Sequence, residues 1–254
     1  MINATPIPIL SDNYVWLLSR PDSGSTVIVD PGEASPALAF LESSGLECAA
    51  VLLTHHHADH TGGAAEIGKA CKCTIYGPAQ ESIPSVSHPV GENETVAAAG
   101  LAFDVLSVPG HTRGHVAYVG HGHVFCGDTL FAGGCGRIFE GSPAQMFESL
   151  SILAALDPKT RICCAHEYTV ANLEFALLVE PGNVQLVDRL TSARTTRSAG
   201  RPTLPSSLEV ELATNPFLRC SKPGVVDSAS RHAGRRLEAG VDVFAEVRRW
   251  KDLR

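Results

Sequence analysis

Four short apolar runs each end on ionisable residues, and no other feature constrains the fold as strongly. "AAVLLT" leads into "HHHADH" (residues 55–60), "LSVPG" into His111, "VFCG" into Asp128 and "RICCA" into His166. Runs this short, bounded by Gly and Pro, read as buried strands. An ionisable group at the end of a buried strand is costly unless it is paired. A metal centre shared by all four strand ends accounts for the pattern at once, and the carboxyl ends of strands are where open α/β sheets commonly hold ligands.

The other segments set the architecture. Further strand-like runs are "NYVWLLS", "STVIVDPG", "CTIYG" and "HVAYVG", with helix-sized segments at 36–44 and 61–70. In "GSPAQMFESLSILAALDP", Ser142 precedes Pro143 and Gln145 follows three residues on, the capping-box pattern of a helix start. After "RICCAHEY" strand signals stop, and from about Val170 the pattern is helical, interrupted by "AGRPTLPSS" and "TNPF". The expectation is an α/β layered domain over residues 1–169 followed by a smaller α-helical domain over 170–254.

Composition removes several function classes. With 20 Lys+Arg against 27 Asp+Glu, the formal charge of −7 disfavours nucleic-acid binding by phosphate neutralisation. No apolar run approaches the roughly 18 to 20 residues that span a bilayer. The opening "MINATPIPILSDNYVWLLSR" lacks the basic start of a secretory signal, so the expected location is cytoplasmic, without a membrane partner. The 8 cysteines, including the pairs Cys71/Cys73 and Cys163/Cys164, lack C-x-x-C spacing and read as reduced, mostly buried thiols.

Within the cluster, strand alternation points His55 and His57 one way and His56 the other, while Asp59 and His60, entering the next turn, can reach back to the first side. Imidazoles with a carboxylate are the donor set expected of zinc and similar divalent metals. His88, His121, His123 and His232 read as exposed or hydrogen-bonded residues, and His115 as a supporting one.

"THHHADH", "GHTRGH", "GDTLF" and "AHEY", in this order and spacing, resemble the metallo-β-lactamase fold superfamily, and within it the hydroxyacylglutathione hydrolases (glyoxalase II). "GDTLFAGGCGRIFEG", "HEYTVANLEFALLVEP", "LPSSLEVELATNPFLR" and "VRRWKD" extend the resemblance over nearly the whole chain. It implies an αββα sandwich with a binuclear metal site and a helical domain that helps bind glutathione. By that resemblance His55, His57 and His111 hold one metal, Asp59, His60 and His166 the second, and Asp128 bridges them. The metals implied are two divalent ions, zinc first, with iron and manganese also suited to the donor set.

The reaction implied is hydrolysis of the thioester S-D-lactoylglutathione to glutathione and D-lactate, a step in methylglyoxal detoxification. Metal-activated hydroxide, not a side chain, is the nucleophile. Arg248 and Lys251, three apart on neighbouring surface positions of a predicted helix, become a clamp for the substrate's carboxylates, with Arg137, Phe139 and Tyr168 as further contacts. Arg137 stands where lysine is common in the family, and Phe139 where tyrosine is common. A monomer is expected. The rival readings are a lactonase or nuclease on the same fold, a persulfide dioxygenase with one iron, and a non-catalytic scaffold.

Overall fold

The computed structural model describes residues 2–254, which divide into two compact units that the backbone enters more than once. The first comprises the chain through Ser107, Thr112–Gly127 and Cys163–His166; the second comprises Val108–His111, Asp128–Ile162 and Glu167–Arg254.

In the first unit, β1 (Asn3–Ile9), β2 (Asn13–Ser19), β3 (Ser25–Val29), β4 (Glu47–Leu52), β5 (Thr74–Pro78) and β6 (His88–Val90) form one sheet in chain order. The first three strands run antiparallel, and β3 through β6 run parallel. Helix α1 (Ser35–Ser44) connects β3 to β4, and α2 (Ala58–Thr61) and α3 (Ala64–Cys71) connect β4 to β5. Ala37, Leu41, Ala64 and Ile67 of these helices share a buried cluster with Val15, Leu17, Ile28 and Val51 of the strands.

A second, antiparallel sheet has the order β10-β9-β8-β7, from β7 (Thr95–Ala98), β8 (Leu101–Ser107), β9 (Val116–Gly120) and β10 (His123–Gly127). The opposite face of β2 meets it: the Trp16 ring lies 6.2 Å from that of Phe125. The Trp16 indole N–H also donates to the Cys164 carbonyl at 3.0 Å. Tyr118, fully buried, donates its hydroxyl to the Leu53 carbonyl at 2.9 Å. Because β2 is buried on both faces, its sequence is a continuous apolar run without alternation.

Two local readings change. The N-terminal strand carries Pro6 and Pro8 and has no strand signature, yet it pairs with β2 as the sheet's edge. Residues two apart on a strand face the same way, so both prolines turn their missing N–H to the same, open side, the arrangement an edge strand tolerates. The single helix expected over 61–70 is instead α2 and α3, broken at Gly62 and Gly63. A Cβ on Gly62 would stand 2.5 Å from the Gly32 carbonyl oxygen, and one on Gly63 2.4 Å from the Ala34 nitrogen. The turn after β3 packs into this break and sets where Asp59 and His60 lie.

The second unit holds a hairpin of β11 (Leu130–Phe131) and β12 (Gly134–Cys135), then α4 (Pro143–Ala154) and the first half, Arg161 and Ile162, of β13 (Arg161–Cys164). Its remaining helices are α5 (Thr169–Val179), α6 (Val184–Ser198), α7 (Leu208–Thr214), α8 (Pro223–Ala233) and α9 (Val241–Asp252). The capping box forms as expected: Ser142 Oγ accepts from Gln145 N at 3.3 Å, and Gln145 Oε1 accepts from Ser142 N at 3.0 Å. Strand structure does not stop after β13, however. Ser206–Ser207 is a short strand, β14, paired with Ile162 and Arg161; two serines carry no apolar signal, and pairing alone makes them a strand.

Buried Glu211 organises this unit. It is ion-paired with Arg189, and its Oε2 accepts from Gly133 N at 2.8 Å and from Asn215 Nδ2 at 3.2 Å. Asn215 Nδ2 in turn donates to Phe131 O at 3.1 Å and Gly134 O at 2.9 Å, so the β11–β12 hairpin is held from both sides. Among the described residues, no helix is long and apolar enough to cross a membrane.

Candidate metal centre

In the first unit the buried Asp30, just after β3, takes a left-handed backbone conformation (φ 51°) that turns its carboxylate onto the end of the neighbouring strand path. Its Oδ1 accepts from Thr54 N at 2.8 Å, and its Oδ2 accepts from Thr54 Oγ1 at 2.7 Å. The same Oδ2 lies 3.0 Å from His60 Nδ1. With Nδ1 committed to Asp30, His60 turns Nε2 toward Asp59, whose Oδ2 is 3.5 Å away.

His166 is set in the same manner. Its Nδ1 lies 2.8 Å from Asp12 Oδ1, leaving Nε2 3.4 Å from Asp59 Oδ2. Asn13 Nδ2 donates to that Asp59 oxygen at 2.9 Å. Asp59, His60 and His166 thus bring one donor atom each within 4.8 Å of one another, and each imidazole is oriented by a carboxylate on its other nitrogen. Carboxylate-backed histidines are the usual support of metal ligands: they fix the tautomer and raise the basicity of the coordinating nitrogen. The donor set therefore fits a divalent cation chemically as well as spatially.

His55 is fully buried, with its Nδ1 3.1 Å from Thr54 Oγ1 and its Nε2 3.1 Å from His57 Nδ1. The His115 ring stacks on it at 4.6 Å. His56 points elsewhere, as alternation predicts: its Nδ1 lies 3.0 Å from Glu81 Oε2. Glu81 also accepts from Gly114 N at 3.1 Å and from the Thr112 hydroxyl, tying down the turn that follows His111 in the chain.

In the second unit His111 and Asp128 are neighbours, with Nε2 to Oδ2 3.5 Å. His111 Nδ1 donates to the Arg137 carbonyl at 2.8 Å, repeating the pattern of a ring fixed through its outer nitrogen. A Cβ at position 136 would sit 1.9 Å from the Asp128 carbonyl oxygen, so only Gly136 lets this turn close.

The residues expected to meet glutathione also lie in this unit. Phe139 is exposed and packs edge-on to His111 at 5.2 Å, and Tyr168, partly exposed, packs edge-on to Phe131 at 5.4 Å. Arg248 differs from its expected surface position. It is 5% exposed, lies over the Phe217 ring, and donates through Nη1 to the Cys135 carbonyl at 2.9 Å. Its Nη2 donates to Asp252 Oδ1 at 2.9 Å, and Arg137 Nε lies 3.5 Å from the same oxygen. Helix α9 docks by this face, which is why a residue of polar type is buried. Lys251 is half-buried between Phe175 and Phe217 and donates to Asn172 Oδ1. Burial, and after it the neighbouring Arg248 charge, lowers its pKa to about 8.

Sequence reasoning missed Asp12, Asn13, Asp30, Glu81 and Asn172. The polar residues of "SDNY" and "VDPG" flanking apolar runs are the available signal for the first three; for Glu81 and Asn172 there is none. His88, His121, His123 and His232 lie apart from these groups; His232, for instance, stacks on Trp250 at 4.3 Å.

The description "Metallo-beta-lactamase superfamily" matches residues 10–95 and 79–166, and "Hydroxyacylglutathione hydrolase C-terminus" matches residues 167–253. Fold and donor set thus define a metal-dependent hydrolase of the metallo-β-lactamase superfamily. A hydroxyacylglutathione hydrolase of Xanthomonas campestris pv. campestris (strain B100) is 53% identical over 249 residues, covering 98% of this chain and 97% of its own. One from Halorhodospira halophila is 52% identical over 254 residues, covering 99% of both chains. The chain belongs to the hydroxyacylglutathione hydrolase family. Among solved structures, TTHA1623 in a di-iron-bound form is 27% identical with a TM-score of 0.61, over 84% of this chain and all of that one.

Proposed function

We propose that the chain hydrolyses S-D-lactoylglutathione to glutathione and D-lactate at a centre for two divalent cations. In this reading His55, His57 and His111 hold one cation, Asp59, His60 and His166 the other, and Asp128 lies between them. The observation that carries it is the trio Asp59, His60 and His166, with each imidazole backed by a carboxylate. His111 is fixed in the same way by the Arg137 carbonyl, and the di-iron form of TTHA1623 supports a count of two.

When bound, two such cations polarise the thioester carbonyl and lower the pKa of water from about 15.7 toward about 7. The chain's own residues do the remainder. Asp30 and Asp12 keep His60 and His166 in the tautomer that presents Nε2, and Asn13 holds the Asp59 carboxylate in place. Arg137, Arg248 and Lys251 bind the carboxylates of glutathione, Phe139 packs along it, and Tyr168 supplies a hydroxyl donor. In this reading residues 170–254 supply the glutathione-binding part and residues 1–169 the catalytic part. Zinc is the assigned metal. A cytoplasmic monomer is the matching form, and eight cysteines that are all free thiols suit a reducing compartment.

The deciding experiment is a steady-state comparison of S-D-lactoylglutathione with other acyl-glutathiones and a lactone, paired with metal quantitation. Preference for the lactoyl thioester at two metals per chain is the expected result. A faster lactone reaction, or one iron with oxygen consumed during turnover, overturns it. Gel filtration of the same preparation tests the monomer.

A further inference from the structure

The cysteines that read in the sequence as reduced, mostly buried thiols are not evenly spread through the first unit. Cys48 on β4, Cys71 at the end of α3 and Cys73 just before β5 gather at one end of the parallel strands. The Sγ atoms of Cys48 and Cys73 are 3.7 Å apart. Cys48 is buried, whereas Cys71 and Cys73 are half-buried. None of the three has a part in the metal chemistry. A left-handed residue, Lys72 (φ 53°), ends α3 and swings Cys73 back toward β4.

We propose that Cys48 and Cys73 are a redox-modification site that a hydroperoxide converts to a disulfide, with Cys73 the attacking thiol and Cys48 the resolving one.

The asymmetry of the pair assigns the roles. The Cys48 thiol is pushed up by its hydrogen bond to Cys73 and by burial, so it keeps its proton, which the Cys73 sulfur and the Ala50 carbonyl can both accept. The Cys73 thiol is held below its ordinary range, chiefly by the hydrogen bond from Cys48, and it reaches solvent. The thiolate is the nucleophile in this chemistry, so the partly exposed, lower-pKa sulfur reacts first. Cys73 thiolate attacks one peroxide oxygen: a sulfur–oxygen bond forms, the oxygen–oxygen bond breaks, and the departing hydroxide takes a proton to become water. Cys48 sulfur then attacks the Cys73 sulfenic acid, the sulfur–sulfur bond forms, and hydroxide leaves with the Cys48 proton as a second water. Two thiols lose two electrons, and hydrogen peroxide is reduced to two waters.

The test uses the full-length, metal-loaded, reduced protein exposed to a small molar excess of hydrogen peroxide, quenched with N-ethylmaleimide, unfolded and digested with trypsin. Cleavage after Lys72 separates Cys71 from Cys73, so the bridge can be assigned. The expected product is a Cys48–Cys73 cross-linked peptide pair two hydrogens lighter than its reduced parts. Before oxidation, alkylation at neutral pH should label Cys73 roughly tenfold faster than Cys48. In Cys48→Ser the same treatment should leave a dimedone-reactive sulfenic acid at Cys73. Recovery of Cys48 and Cys73 as alkylated thiols from the wild type, or a bridge made through Cys71 instead, overturns the proposal. The wild-type result decides it even if the variant fails to fold.

Discussion

Asp30 does three jobs with one carboxylate: it closes the end of the β4 path through the Thr54 amide and hydroxyl, and it orients His60. Asp30→Asn keeps the shape but removes the charge that favours a coordinating Nε2 on His60. Its metal affinity should fall about 10- to 100-fold, read by competition with a chelator, while the melting temperature of the metal-free protein changes little. In the second unit Asp252 occupies both Arg137 and Arg248, so under the proposed clamp a substrate carboxylate would have to displace it. Asp252→Asn should therefore lower KM for the glutathione thioester with kcat unchanged; a raised KM would mean that Asp252 orients the arginines instead of competing for them. Lys251 gives the pH dependence. Its pKa is lowered to about 8 by burial and then by Arg248, with Asp252 and Cys135 opposing and Arg137 adding to the shift. The ammonium is present below that value and lost above it, so KM should rise from about pH 8 upward, and Lys251→Arg should flatten the rise. For stability the sign is opposite. Between about 8 and the unfolded value near 10.4 the unfolded chain binds the extra proton, so this group makes stability increase with pH.

At the scale of elements, the site rests on where strands and helices stop. β4 ends at Leu52, three residues before His55, and the break between α2 and α3 is enforced by backbone approaching Gly62 and Gly63 too closely for a side chain. In the second unit the β11–β12 hairpin is fixed by Glu211 and Asn215, and that hairpin presents the Cys135 carbonyl to Arg248. Helix α4 begins at a complete capping box, so Ser142→Ala should destabilise the protein by about 1 kcal/mol, measured by chemical denaturation. A loss indistinguishable from zero would show that the Pro143 start is sufficient alone.

For the whole molecule, metal binding and folding are linked, because Asp59 and His60 meet His166, far along the chain, only when it is folded. A ligand present at about 1,000 times its Kd adds about 4 kcal/mol to stability. Chelation should therefore abolish thioesterase activity and lower the melting temperature together, and both should recover on adding back zinc. Loss of activity with an unchanged melting temperature would mean that the metals contribute nothing to holding the chain together.

Much of this was written in the sequence. Eight apolar runs became strands, Ser142 and Gln145 became a cap, and His56 points away from His55 and His57, as an extended alternation carried past the end of β4 would place it. These are local properties, carried by periodicity and by residue types whose burial is unaffordable without partners. The chain could not announce that two prolines sit on an edge strand, that two serines pair as β14, or that Arg248 is buried. Nor could it show which carboxylate stands behind which imidazole. Asp12 lies 154 residues from His166 and Asp30 lies 30 from His60, and no local pattern links them. Such pairings are decided by which strand ends the sheet brings together, and hydrogen bonding in a buried environment then selects the partners. The sequence by itself determined the donor types and the chemistry open to them; the tertiary structure decided how each donor is oriented, because orientation is supplied by residues distant along the chain.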